Sequence, residues 1–210
     1  LDPKMTEKLP KILTASTGMD AMTHAVEALH SIPHEPITDA LAIHAIRLLA
    51  KNLPICTENG SDLVARGNVQ IAATMAGWAF GNAMVGLVHA MAHSIGAVAH
   101  VPHGIANGIL LADCMDYNLE DAAEAYAMVA EAFGVREPGM DDMEAAKASI
   151  SAIRAFLKKI GHPQKFSEMK VTISDIEKAA NMSLSDGSII NNPRMVFEAS
   201  EVLDIFNKVL

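Results

Sequence analysis

Four histidines, His89, His93, His100 and His103, fall within a stretch of the chain that carries no charged side chain. No Asp, Glu, Lys or Arg occurs from Gly67 to Ala112. Neutral imidazole is a good ligand for Zn and Fe, so a buried metal ion is one reason to keep several imidazoles in apolar sequence. The alternative is a set of core histidines bonded to backbone carbonyls, and the cluster alone leaves both interpretations open.

The spacing of these histidines predicts how helices would present them. His89 and His93 are four residues apart, which places both rings on one helix face, one turn apart. Gly96 and Pro102 punctuate the chain before His103. We therefore predict one helix that ends shortly after Gly96, a short turn, and a second helix that opens near Pro102. His103 would then point back toward the end of the first helix.

Asp20 and His24 form a second pair with a spacing of four residues. Such a pair can bind a metal together, or it can form an ion pair on a wet helix surface. The apolar neighbours of the pair indicate that this face is not bulk surface; they are Met19, Met22, Ala25, Val26 and Leu29. Glu27 follows one turn later and could support a metal ligand, but a solvated position is the favoured prediction for it.

Composition favours packed helices and a protein of a reducing compartment. Hydrophobic residues make up 50% of the 210 residues and aromatic residues only 4%, so Ala, Met and Leu must fill the core. A net charge of −9 argues against a nucleic-acid surface. Cys56 and Cys114 show no metal or redox spacing, and we expect no signal peptide. We expect a cytoplasmic protein.

Helix signals run along the whole chain and predict an all-α fold of seven to ten helices. Residues 1–12 resemble a linker, and polar residues interrupt the apolar middle before any stretch reaches membrane-spanning length. The predicted N-caps are Thr14, Ser16 or Thr17 for the first helix, then Thr38, Ser61 or Asp62, and Ser174. A helix is expected to end at Pro54 and another to break at 82–83. Further helices are predicted over 121–133 and 141–160, with a last helix from Val196 to Leu210.

The region before the histidine cluster offers one weaker candidate for a binding site. Phe80 could form one wall of a small-molecule pocket, although core packing is the stronger interpretation on sequence alone. Gly77 and Gly81 have a spacing that lets a neighbouring helix approach closely, and we expect such an approach here.

Four blocks of this sequence resemble the C-terminal half of the iron-containing, or group III metal-dependent, alcohol dehydrogenases. The order and spacing of the blocks match that family across nearly the whole chain. The blocks are TGMDAMTHAVEAL (17–29), GLVHAMAHSIGA (86–97), VPHGIANGILL (101–111) and NPR (192–194). The resemblance implies the helical metal-binding domain of the dehydroquinate-synthase-like fold.

The resemblance also implies the roles of individual residues. It makes Asp20, His24, His89 and His103 the ligands of one divalent metal, usually Fe(II), with Zn also suited to these ligands. His93 would lie beside the nicotinamide and the substrate and act as a proton donor and acceptor, and the resemblance places Phe80 in the substrate pocket. The implied reaction interconverts small primary alcohols and aldehydes with NAD or NADP.

This chain departs from the family pattern in two respects. The family often has a cysteine four residues before Asn-Pro-Arg, where this chain has Ser188, which affects the substrate pocket. The family also has an N-terminal α/β domain that binds the dinucleotide, and no strand followed by a glycine-rich turn occurs here. We therefore expect residues 1–210 to be the helical domain alone, inactive in isolation and self-associating.

Other functions fit the sequence less well. A di-iron helical bundle requires Glu-x-x-His pairs on facing helices, and this chain has none. A non-catalytic helical interaction domain leaves the uncharged, histidine-rich stretch unexplained. Within the same superfamily, a glycerol dehydrogenase or a maleylacetate reductase is a closer alternative, and His24 as a fourth protein ligand favours the iron-type alcohol dehydrogenases over both.

Overall fold

The computed structural model describes residues 1–210, and it is all-α without any strand, as predicted. A 3-10 turn, Pro3–Thr6, precedes the helices, and two more lie at Phe166–Met169 and Gly187–Asn191. The nine α-helices are α1 (Lys11–His30), α2 (Pro36–Glu58), α3 (Leu63–Ala83), α4 (Leu87–Ala99), α5 (His103–Asn118), α6 (Ala123–Phe133), α7 (Asp142–Ile160), α8 (Ile173–Ser183) and α9 (Ala199–Val209).

Helix α1 lies at the centre of the fold. It packs against α2, α3, α5 and α6, while α4 packs between α5 and α8. One continuous cluster of 51 buried hydrophobic residues includes side chains from all nine helices. Because burial of apolar surface is the main favourable term in folding, this shared core fixes the position of α1 relative to α4 and α5.

The crossing of α1 and α5 depends on a glycine. A Cβ atom at Gly104 would lie 2.4 Å from the carbonyl oxygen of Ser16, far inside van der Waals contact. Only glycine therefore lets the two helix backbones approach so closely. The close crossing brings His103, the first residue of α5, next to Asp20 on α1.

Two sharp changes of direction bracket α4. The axes of α3 and α4 meet at 103°, and the turn uses Met84 at φ 67°, a backbone conformation that side chains disfavour. After α4, His100 adopts the left-handed conformation at φ 55°. No single helix has the length and hydropathy to cross a membrane; α3 and α4 pass that test only as a bent pair.

Several predicted helix boundaries are wrong for a local reason. Helix α1 begins at Lys11, directly after Pro10, so Thr14, Ser16 and Thr17 lie within it. Their hydroxyl groups donate to the carbonyl oxygens of residues 9 and 13 instead of capping. Thr38, the predicted N-cap of α2, is instead its third residue, and Glu35 is the N-cap. Thr172 caps α8 instead of Ser174. Helix α9 begins at Ala199 instead of Val196.

Pro54 does not end α2, which continues to Glu58. A proline within a helix removes one backbone hydrogen bond, and here Leu53, Pro54 and Cys56 are all buried against neighbouring helices. Other helix ends agree with the sequence. Asp62 and Asp141 cap α3 and α7 through their side chains.

The close helix approach predicted at Gly77 and Gly81 is wrong. A Cβ atom at either glycine would meet no atom of a neighbouring helix within 4 Å. Trp78, between them, is 66% exposed. The glycine face of α3 therefore presents an open surface, whereas Ala76 and Ala79 on the opposite face lie in the core.

Candidate metal centre

The structure brings the side chains of Asp20, His24, His89 and His103 together at one point. One ligand atom from each lies within 4.8 Å of the ligand atoms of the other three. The residues come from three helices: Asp20 and His24 share a face of α1, His89 lies in the first turn of α4, and His103 begins α5. The i, i+4 pair on α1 thus faces two imidazoles from elsewhere in the fold.

The distances within this cluster fit a tetrahedral metal. Bonds of about 2.1 Å to nitrogen and oxygen imply about 3.4 Å between neighbouring ligand atoms. Asp20 Oδ1 lies 3.2 Å from His103 Nε2 and 3.9 Å from His89 Nε2. Three imidazoles and one carboxylate are also the donor chemistry that Fe(II) and Zn(II) accept. The residues present therefore fit the metal that the resemblance implies.

The surroundings of the cluster set the protonation of its members. Burial, assisted by the neighbouring His89, lowers the pKa of His24 to about 4, so this imidazole is neutral with a free lone pair. Burial raises the pKa of Asp20, but hydrogen bonds from His103 and Asn107 and the nearby His24 outweigh it and lower the pKa overall. The hydrogen bond to Asp20 raises the pKa of His103.

Glu27 is fully buried, and the prediction of a solvated position is wrong. Its carboxylate accepts a hydrogen bond from His89 Nδ1 and a second, 2.8 Å long, from the backbone N–H of Val88. Burial raises the pKa of Glu27, but the interaction with His89 outweighs it and lowers the pKa overall. Because Nδ1 of His89 is hydrogen-bonded to the Glu27 carboxylate, Nε2 is the nitrogen left to bind a metal. This arrangement is typical of metal-bound histidine.

The Asn-Pro-Arg motif secures the start of α4. Asn192 is fully buried; its Oδ1 accepts from the N–H of Leu87, and its Nδ2 donates to Asn118 in a reciprocal pair of amides. Arg194 lies over the ring of Tyr117 at 4.3 Å and donates to its carbonyl oxygen. These contacts hold the first turn of α4, and with it His89, against α5.

Asn107 lies in the middle of the cluster and is fully buried. Its Nδ2 is 2.6 Å from Asp20 Oδ1, 3.0 Å from His103 Nε2 and 3.2 Å from His89 Nε2. The two hydrogens of this amide nitrogen can serve at most two of these atoms, and Asn107 Oδ1 has no hydrogen-bond partner. Three of the four candidate ligand atoms thus lie within 3.2 Å of one nitrogen, a convergence that fits a site for a cation.

A cavity of about 630 Å³ opens beside the cluster, lined by Phe80, His93, Asp186 and Ser188 among others. The ring of Phe80 stacks on His24 with 4.1 Å between centroids. The ring of His93 stacks on His103 at 5.3 Å. Phe80 and His93 therefore connect the cavity directly to the metal-ligand candidates.

His93 has a carboxylate partner of its own. Its Nδ1 lies 2.9 Å from Asp186 Oδ2, and the other oxygen of Asp186 accepts from the N–H of Ser188. Burial raises the pKa of Asp186, but the contacts with Ser188 and His93 outweigh it and lower the pKa overall. Asp186 is therefore ionised at neutral pH.

Sequence reasoning missed Asn107 and Asp186 as members of the site, and it raised Glu27 only as the less favoured possibility. Asn107 comes four residues after His103, so the spacing rule applied to the histidines could have found it. Glu27 comes three residues after His24, on the same face of α1. No local signal pointed to Asp186, which lies 93 residues from His93.

Residues 14–210 match the Fe-containing alcohol dehydrogenase family, C-terminal. The chain is 44% identical over 207 residues to a 1,3-propanediol dehydrogenase of Citrobacter freundii, covering 99% of this chain and 53% of that protein. It is 38% identical over 195 residues to an NAD-dependent methanol dehydrogenase of Bacillus methanolicus, covering 93% and 51%.

Comparison of the fold with solved structures also leads to an oxidoreductase. The crystal structure of a 1,3-propanediol oxidoreductase superposes with a TM-score of 0.96 at 42% sequence identity, covering 100% of this chain and 55% of that one. The chain thus spans about half the length of the relatives that it matches.

Proposed function

The chain belongs to the Fe-containing alcohol dehydrogenase family, and we propose that it is the helical, metal-binding half of an NAD(P)-linked enzyme that interconverts primary alcohols and aldehydes. The observation that carries this proposal is the convergence of four nitrogen and oxygen donors beside an open cavity. The relatives, a 1,3-propanediol and a methanol dehydrogenase, favour a short alcohol or diol as the substrate.

Asp20, His24, His89 and His103 would hold one Fe(II) or Zn(II) ion. A bound metal supplies Lewis acidity toward the oxygen of an alcohol or a carbonyl group. One carboxylate and three neutral imidazoles leave a divalent ion with a net charge near +1, so this ligand set preserves much of that acidity. Glu27, behind His89, orients the ring and partly offsets the metal charge.

The residues that line the cavity have separate roles in this proposal. Phe80 forms a wall that limits the width of the substrate and keeps water from the inner face of His24. His93 accepts the hydroxyl proton of the alcohol during oxidation and returns it to the aldehyde oxygen during reduction. His93 would also be one of the residues that contact the nicotinamide of a bound dinucleotide.

We propose that the dinucleotide is held mainly by an N-terminal α/β domain. Residues 1–210 contain no strand and no glycine-rich turn that leads from a strand into a helix, the usual receiver of a pyrophosphate. The extra length of the relatives leaves room for such a domain. The helical domain then supplies the metal and the proton relay, and the other domain supplies the hydride acceptor.

We further propose that the chain self-associates. Three large side chains recur at seven-residue intervals on α3 and are exposed, namely Val64, Ile71 and Trp78. Exposed apolar stripes of this kind are typical of interaction surfaces. Light scattering of the purified chain at two concentrations measures this association directly.

Metal binding and turnover test the proposed function. We expect calorimetry to show one Fe(II) or Zn(II) per chain, and the Asp20→Ala variant to lose that binding. The chain alone should show no useful alcohol oxidation with NAD or NADP, because nothing holds the nicotinamide near the metal. The proximity effect lost in this way is worth up to about 7–11 kcal/mol.

Two results would contradict these expectations. Metal binding that is unchanged in Asp20→Ala would remove the four-residue cluster as the metal site. Micromolar affinity of the chain for NAD or NADP, or turnover comparable to that of a two-domain enzyme, would show that residues 1–210 bind the dinucleotide themselves.

A further inference from the structure

The contact between His93 and Asp186 joins two distant parts of the chain. His93 lies in the middle of α4, and Asp186 lies in the loop after α8. The bond between them is 2.9 Å long, although the two residues are 93 positions apart. Both side chains are partly exposed, and both line the same cavity.

Asp186 is itself held in place. Its Oδ1 accepts a 2.8 Å hydrogen bond from the backbone N–H of Ser188 and so caps the 3-10 turn Gly187–Asn191. Its Oδ2 is the atom that contacts His93. The carboxylate therefore has one oxygen fixed by the loop and one directed to the imidazole, an arrangement that is set before any substrate enters.

An ionised carboxylate can only accept a hydrogen bond, so Nδ1 of His93 must carry the hydrogen. In a neutral imidazole the other nitrogen, Nε2, then has a free lone pair. No protein group bonds to His93 Nε2, and the ring is packed on one face by His103. The free nitrogen is thus available to a molecule in the cavity.

We propose that Asp186 is the positioning residue of His93, fixing the Nδ1–H tautomer so that Nε2 accepts the proton of the alcohol. This inference rests on the proposed function of His93. In the oxidation, the O–H bond of the alcohol breaks and its proton moves to Nε2, while the carbinol C–H bond breaks and its hydride moves to the nicotinamide. The products are an aldehyde, reduced nicotinamide and a protonated His93 stabilised by Asp186.

The tautomer of His93 tests this role without any turnover. The chain is labelled with 15N-histidine, loaded with Zn(II), and studied by long-range 1H–15N correlation. We expect protonated Nδ1 and unprotonated Nε2 for His93 in the wild type. Asp186→Ala should convert His93 largely to the Nε2–H form, and Asp204→Ala, which removes an exposed aspartate from α9, should not.

Asp186→Asn provides a second variant with an intact loop. Asparagine caps a turn as well as aspartate does, but its Nδ2 donates to Nδ1 and so favours the Nε2–H form of His93. Backbone amide spectra establish that each variant is folded. If His93 keeps the Nδ1–H form in both folded variants, the positioning role of Asp186 is overturned.

Kinetics of the full-length enzyme separate this inference from the proposed function. We expect Asp186→Asn to lower kcat about 100-fold, at the lower end of what a general base contributes, with KM changed far less. His93→Ala should lower kcat at least as much. Unchanged turnover in His93→Ala would overturn the proposed function of His93, whereas a large loss there with normal turnover in Asp186→Asn would overturn only the role of Asp186.

Discussion

Glu27 and His89 form a buried pair in which the Glu27 carboxylate accepts a hydrogen bond from Nδ1 of the imidazole. The same carboxylate also accepts from the backbone N–H of Val88, at the start of the helix that carries His89. One side chain of α1 therefore fixes both the tautomer of His89 and the position of its helix.

Glu27→Gln should weaken metal binding about 10- to 100-fold, the usual effect of losing the partner of a metal-bound histidine. A glutamine lacks the charge, and its amide cannot accept both hydrogen bonds with the geometry of a carboxylate. Calorimetric titration with Zn(II) measures the change. Glu177→Gln, on the exposed face of α8, is the control, and equal affinities in the two folded variants would refute this role for Glu27.

His89→Ala should abolish metal binding, whereas His93→Ala should retain most of it. His89 Nε2 belongs to the cluster of four ligand atoms, and His93 belongs to the cavity and is bonded to Asp186. The metal content per chain, determined by elemental analysis of both purified variants, is the test. An equal loss in the two variants would make His93 a ligand.

Gly104→Ala should destabilise the fold by about 1–3 kcal/mol, the usual cost of overpacking, and should also weaken metal binding. The added methyl group would meet the Ser16 carbonyl at 2.4 Å and push α5 away from α1. Because His103 and Asp20 lie on these two helices, the donor atoms would separate.

Gly77→Ala is the matched control for this substitution. It lies within α3, has open space around it, and should stabilise the fold by about 0.4–1 kcal/mol. Urea denaturation and Zn(II) titration of both variants give the comparison. A Gly104→Ala variant as stable as Gly77→Ala would show that the crossing of α1 and α5 tolerates a side chain.

Stability should fall as the pH is lowered from 6.5 toward 4 in the metal-free protein. Burial lowers the pKa of His30 to about 4, from an ordinary value of 6.5. The unfolded chain therefore binds a proton in this window that the folded chain does not, so unfolding becomes easier as the pH falls. The shift corresponds to roughly 3 kcal/mol for His30, and His24 adds to it in the same direction.

His30→Phe should make this pH dependence shallower by about one proton, even if the loss of the hydrogen bond to Tyr126 lowers the overall stability. The measurement is the free energy of unfolding in urea at several pH values between 4 and 6.5, with EDTA present. His44→Gln, at an exposed position, should leave the slope unchanged. A slope that is the same in wild type and His30→Phe would remove His30 as a source of the acid sensitivity.

The sequence by itself determined the helical class, most helix positions and the residue types of the site. Helix periodicity, capping residues and the i, i+4 spacing are local properties, and each follows from a few neighbouring residues. The same locality explains the errors: a chain segment with several possible caps, such as Thr14, Ser16 and Thr17, does not show which turn begins the helix. The resemblance to a family, and not the spacing, supplied the grouping of Asp20, His24, His89 and His103.

Only the tertiary structure decided which distant groups meet. Glu27 lies 62 residues from His89 and Asp186 lies 93 residues from His93, so both pairs depend on how helices cross and not on any local pattern. The backbone contact of Gly104 with Ser16 sets one such crossing, and the turn at Met84 sets the direction of α4. A glutamate next to a histidine on a helix can be solvated or buried, and packing of the whole core buried Glu27 behind His89.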